Sequence, residues 1–269
     1  MKYIELGHLD KAPVVYVFCK VGFATLPLLN QSKADNIAEK IRTNFPNFYN
    51  SKTQARKVII SAETQEIKSS EIEEIIDWSY VAPDYTKGFT LSKNSISFHT
   101  KKYYQASDFF DWISGILNIV QEELNITHTN FHGIRYIDRI DLVENDDFDS
   151  LVTNGFFQPT LQCTPAKLGC RIESIYKSDV GILNLKSVTK IGGHDIPDDL
   201  ISEAEKLKAV GNLQSTFIVI DTDSFEHTEN LEPFKVLDSM EKLDNLHKVA
   251  SLAFREIINA DELTKWRDI

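Results

Sequence analysis

His132-Gly133-Ile134-Arg135-Tyr136-Ile137-Asp138-Arg139-Ile140-Asp141-Leu142 alternates in period two, and its reading decides the fold. Ile134, Tyr136, Asp138, Ile140 and Leu142 fall on one face; Gly133, Arg135, Ile137, Arg139 and Asp141 fall on the other. This is a strand. Immediately before it, Phe109, Ile113, Ile116, Leu117, Val120 and Leu124 recur at three and four. That spacing predicts a long amphipathic helix packed on something flat, opened by Ser107 and Asp108 with negative charge in its first turn.

Working outward, Val14-Val15-Tyr16-Val17-Phe18-Cys19 reads as a strand with Pro13 at its start. Ser32 is expected to cap a helix from Lys33 to about Asn44, ended by Pro46. Lys57 to Ala62 and Glu71 to Trp78 read as strands. Phe89–Leu91 and Ile96–His99 form a hairpin about Lys93-Asn94-Ser95. After an acidic loop (Glu144 to Asp149) and a linker from Asn154 to Pro165, Arg171–Tyr176 and Gly181–Val188 pair as a second hairpin. Ile191 to Asp199 reads as a loop, Glu203 to Val210 as a short helix, and Thr216 to Ile220 as a buried strand. A final helix spans about Pro233 to Ile258. Its apolar residues Leu237, Met240, Leu243, Leu246, Val249 and Leu252 step by three, which predicts a bend near Asp244.

A strand set closed by a long helix therefore occurs twice. The expected fold is α+β, with two halves (1–128 and 129–269, forming one compact unit) of antiparallel sheet each crossed by a long helix. The topology is similar to helix-grip and TATA-box-binding-protein-like folds, a likeness that carries no function.

The composition narrows the partners. The chain has 269 residues, 29 basic against 40 acidic side chains and a formal net charge of −11. Such a balance lacks the cationic surplus that nucleic-acid binders use, so nucleic acid is demoted as a partner. No apolar run suits a membrane span, and the N-terminus does not read as a secretory signal. Cys19, Cys163 and Cys170 form no C-x-x-C pair, which fits reduced thiols in a cytoplasm.

Three stretches together resemble a known family: Ala12-Pro13-Val14-Val15-Tyr16-Val17, Gly133-Ile134-Arg135-Tyr136-Ile137-Asp138-Arg139-Ile140, and Leu246-His247-x6-Phe254 followed by Trp266. The resemblance is to a sporadically distributed family of uncharacterised prokaryotic proteins of about 260 residues, close to the 269 here. Asp138 departs from that pattern, which has Asn. The resemblance implies no activity; the family's patchy distribution points to defence or toxin–antitoxin islands.

Candidate sites follow from side-chain chemistry. Arg135, Arg139 and Asp141 share a strand face, and two guanidiniums so placed could hold a phosphate or carboxylate; ion pairing with neighbouring strands is the alternative. Arg135, Tyr136, Arg139 and His132 are the expected ligand- or partner-contacting residues. His128 and His132 are four apart, but at a helix exit that spacing does not build a metal site. His247 reads as a hydrogen-bonded packing residue. Gly192-Gly193-His194-Asp195 reads as a polar turn, and Asp221-x-Asp223 with Glu226 as a strand-ending turn rather than a Mg²⁺ site. Tyr103, Tyr104, Phe109 and Phe110 read as core. Lys52, Arg56, Lys57, Lys101 and Lys102 are candidates for a basic stripe.

There is no G-x-S-x-G elbow, P-loop or G-x-G-x-x-G. The expectation is a non-enzymatic protein that binds a partner protein or small ligand, without metal or cofactor. The alternative is an enzyme acting on phosphodiesters, with Arg135 and Arg139 as anion holders and His132 or His194 as acid–base groups.

Overall fold

The computed structural model describes residues 9, 11–60, 67–142, 151–153 and 169–267. The acidic loop, the linker and Cys163 lie outside the described residues. Among the described residues nine strands build one antiparallel sheet: β1 (Val14–Phe23), β2 (Asn47–Ile60), β3 (Ile67–Val81), β4 (Lys87–Ser92), β5 (Ser95–Thr100), β6 (His128–Asp141), β7 (Cys170–Lys177), β8 (Ile182–Gly193) and β9 (Leu213–Pro233). Their order is β2-β3-β4-β5-β1-β6-β9-β8-β7. The decisive strand, β6, is central. It pairs with β1 on one side and β9 on the other, so residues distant in sequence meet along it.

Five helices accompany the sheet among the described residues: α1 (Gln31–Ile41), α2 (Ala106–Leu124), α3 (Ile201–Lys206), α4 (Val236–Ile257) and α5 (Ala260–Lys265). Ile37 and Ile41 of α1, Ile113, Leu117 and Val120 of α2, and Leu243, Leu246 and Ala250 of α4 join one apolar cluster. Val17, Cys19 and Val21 of β1 and Ile134 and Tyr136 of β6 complete it on the sheet side. On the opposite face, Leu200, Ala204 and Leu207 around α3 cover Tyr16, Ile137, Phe217 and Val219. Both faces of β6 are thus covered, and its middle is buried almost without interruption.

Several local expectations change. The cap of α1 is Asn30, whose Oδ1 accepts from Lys33 N at 3.1 Å, rather than Ser32, which lies inside the helix. α2 begins at Ala106 and ends on Asn125 in the left-handed region (φ 50°), where its N–H donates to the Gln121 carbonyl. The strand expected over Thr216–Ile220 continues to Pro233, so Asp221 and Asp223 are mid-strand rather than in a turn. β9 can carry them because its intervening Thr222 and Ser224 are fully buried on the helix-bearing face.

The helix α4 also runs through Asp244 as one element. Its buried side is not the three-step series: Leu237 is exposed, and the stripe follows Leu243, Leu246, Ala250, Phe254 and Ile257. Those steps of three, four, four and three keep one face toward the sheet without a bend.

Candidate functional site

The face of β6 toward the helices carries an irregularity in its chemistry. Ile134, Tyr136, Asp138 and Ile140 all point into the packed side, and Asp138 is only 2% exposed. A carboxyl there loses hydration, so it needs a hydrogen-bond partner or a proton. Its Oδ1 is buried with no hydrogen-bond partner. Burial, reinforced by the negative charge of Asp221 across the sheet, pushes the Asp138 carboxyl up to about 8. At neutral pH the group therefore carries its proton.

Asp138 lines a cleft of about 210 Å³ between the sheet, the start of α2 and the second half of α4. Its floor comes from Tyr136 and Asp138 on β6 with Val14 of β1, which sits opposite Asp138 in the register. A register shift between Val14 and Tyr16 breaks the regular ladder at that point. From α4 come His247, Ala250, Ser251 and Phe254, placed on one helix face by steps of three, one and three. Tyr103 and Tyr104 close the cleft ahead of α2.

Polar groups of the wall are tied to one another. Tyr136 Oη and His247 Nδ1 share a hydrogen bond at 2.8 Å, and Tyr103 Oη lies 3.4 Å from Tyr136 Oη. Burial pulls His247 down to about 4, so its imidazole is neutral at neutral pH. Phe254 is stacked on Trp266, with ring centroids 6.0 Å apart. Three stretches far apart in sequence line this cleft: the first through Ala12 and Val14, the second through Tyr136 and Asp138, the third through His247 and Phe254.

The expected anion site has a different character. Arg135 lies on the opposite face of β6, 8% exposed. Its Nε and Nη2 donate to the two carboxylate oxygens of Asp221, both at 2.7 Å, and its Nη1 donates to Asp199 Oδ2 at 2.6 Å. Nη2 also reaches Asp199 Oδ1 at 3.2 Å. This forked arrangement on two carboxylates matches the ion-pairing alternative and engages Nε and both terminal nitrogens. Arg139 Nη1 donates to Asp195 at 2.8 Å, and its Nε is 3.2 Å from Asp141. Asp223 faces the same cluster, and burial pushes its carboxyl up to about 6 against the opposing pull of Arg135.

The remaining candidates are dispersed. His132 lies on the helix side, opposite to Arg135, with its Nε2 3.1 Å from Ser239 Oγ; burial lowers it to about 4. His128 is exposed. His194 Nδ1 lies 2.6 Å from the Ile196 carbonyl and its Nε2 is 3.5 Å from Asp198. No group of three or more His, Cys, Asp or Glu among the described residues is placed to hold a metal ion. Lys52 pairs with Glu74 at 2.8 Å, and Lys101 donates to the Leu207 carbonyl, so these two lysines serve contacts within the fold.

One buried polar network escaped the sequence reading. Tyr16 Oη and His99 Nδ1 lie 2.9 Å apart, and Glu203 of α3 accepts from Thr90 and from Lys206. It anchors α3 to the sheet. Asp138 was legible in principle: it is the acid in an otherwise apolar strand face. No family model, curated protein or solved structure matches the chain.

Proposed function

We propose that this chain is a binding protein for a small, largely apolar molecule held in the cleft between β6 and α4. The observation that carries the reading is the buried Asp138 carboxyl on the cleft floor, with one oxygen lacking a partner. Concave, mostly apolar sites with a few convergent polar groups are the usual form of small-molecule sites. The tied Tyr136–His247 pair gives the wall a fixed shape, which reduces the ordering cost of binding. We read the sheet as two helix-grip or TATA-box-binding-protein-like halves, supported by two long helices, α2 and α4, on a shared face. In a defence or toxin–antitoxin system such a cleft would serve as a sensor.

The test is ligand-detected magnetic resonance on a library of small aromatic and aliphatic compounds, run against the wild type and a Ser251→Phe variant. Ser251 is half-buried on the cleft wall, so the added ring fills the space. Compounds that bind the wild type and lose binding to the variant are expected. Compounds that bind both equally would place recognition elsewhere.

A further inference from the structure

We infer that the ligand is an organic amine, held with its ammonium against the Asp138 carboxylate and its apolar body against Tyr103, Tyr104 and Phe254. This rests on the cleft reading above and names the chemistry of its occupant. Asp138 is the acidic side chain among the lining residues, and its Oδ1 has no hydrogen-bond partner. A carboxylate accepts hydrogen bonds without donating, so a donor bearing positive charge completes it best. The surrounding walls are aromatic: Tyr103, Tyr104, Tyr136 and Phe254 line the same cleft. Aromatic faces attract cations, and the attraction grows in a desolvated site.

The other charged and titratable groups divide: Asp221 favours a cation in the cleft, and Arg255 opposes it. His247 on α4 is neutral, and Asp221 adds negative potential through the sheet. Arg255, near the end of α4, is the cationic residue of the lining and is only partly buried. Asp138 holds a proton because burial disfavours its charge. When an ammonium arrives, that proton leaves to solvent, and a carboxylate–ammonium pair forms in its place. Charge and atoms balance: one cation enters and one proton departs.

The experiment is calorimetric titration with phenethylamine and its neutral counterpart phenethyl alcohol, on wild type, Asp138→Asn and Ser251→Phe. Melting curves check that each variant is folded. Phenethylamine is expected to bind the wild type at least about tenfold more tightly than the alcohol, and to lose about tenfold in Asp138→Asn. Its affinity should rise as pH increases from about 6 to about 8, with proton release on binding, while the alcohol shows no such rise. Equal affinity for amine and alcohol, or an amine affinity unaffected by Asp138→Asn, would overturn the inference while leaving the cleft reading in place, provided Ser251→Phe abolishes binding. If both probes bind Ser251→Phe as well as wild type, or neither binds at all, the cleft reading falls with it.

Discussion

Tyr136 Oη and His247 Nδ1 lie 2.8 Å apart although 111 residues separate them in sequence. This bond joins the central strand to α4 beside Asp138, and it is buried. The pair therefore has two roles: it fixes the helix over the sheet, and it sets the shape of the cleft.

Removing the phenol hydroxyl isolates the first role. Tyr136→Phe should keep the ring packing against Tyr103 and His247 but lose the bond, costing about 1–3 kcal/mol of stability. Urea unfolding of both proteins measures the difference. Unchanged stability would show that the bond does not hold α4 in place.

Arg135 and Asp221 form a buried forked pair on the other face, and removal of one partner strands the other's charge. Arg135→Met should destabilise the protein by about 3–5 kcal/mol, and a second change, Asp221→Leu, should recover most of that loss. Chemical denaturation of the two single variants and the double variant tests the coupling. Strict additivity would deny that the two side chains depend on one another.

The pH dependence of stability has a definite sign. His99, His132 and His247 are each lowered by burial to about 4, below the ordinary value near 6.5. Between those limits the unfolded chain takes up protons that the folded protein does not, so these groups lower stability as pH falls through about 6.5 toward 4. Asp138 and Asp223, raised to about 8 and about 6, act oppositely: the folded protein holds the protons, and stability falls as pH rises.

Three histidines outweigh two carboxyls on the acid side, whereas Asp138 dominates between about pH 6.5 and 8. Stability should therefore peak near neutrality and decline above it by roughly 0.5 kcal/mol per pH unit. Melting temperatures across this range should show the decline in wild type and a plateau in Asp138→Asn. A decline persisting in the variant would assign it to other groups.

Much of the architecture was legible because periodicity reports burial. The alternation in β6, the long stripe of α2 and the two hairpins all appear where the residues predict them. β9 was cut short because acidic residues at 221 and 223 look like a chain leaving the sheet; their cation, Arg135, comes from a neighbouring strand that the local sequence does not reveal. The bend expected in α4 came from counting Leu237, which is 81% exposed, as part of the buried face. Tyr136, His247 and Tyr103 were noticed separately, as a strand residue, a packing histidine and core. Their convergence depends on β6, α4 and the segment leading into α2 meeting, and no local pattern encodes that meeting.

The most direct test of a cleft between β6 and α4 is a methyl-labelled spectrum recorded while a cleft-dependent compound from the library is added. Ala12, Val14, Ala106 and Ala250 carry methyl groups on the cleft wall, whereas Ala204 belongs to α3 on the opposite face. The expected result is that the four cleft residues shift together with a single affinity and Ala204 stays fixed. Shifts centred on Ala204, with the cleft methyls unmoved, would contradict the account.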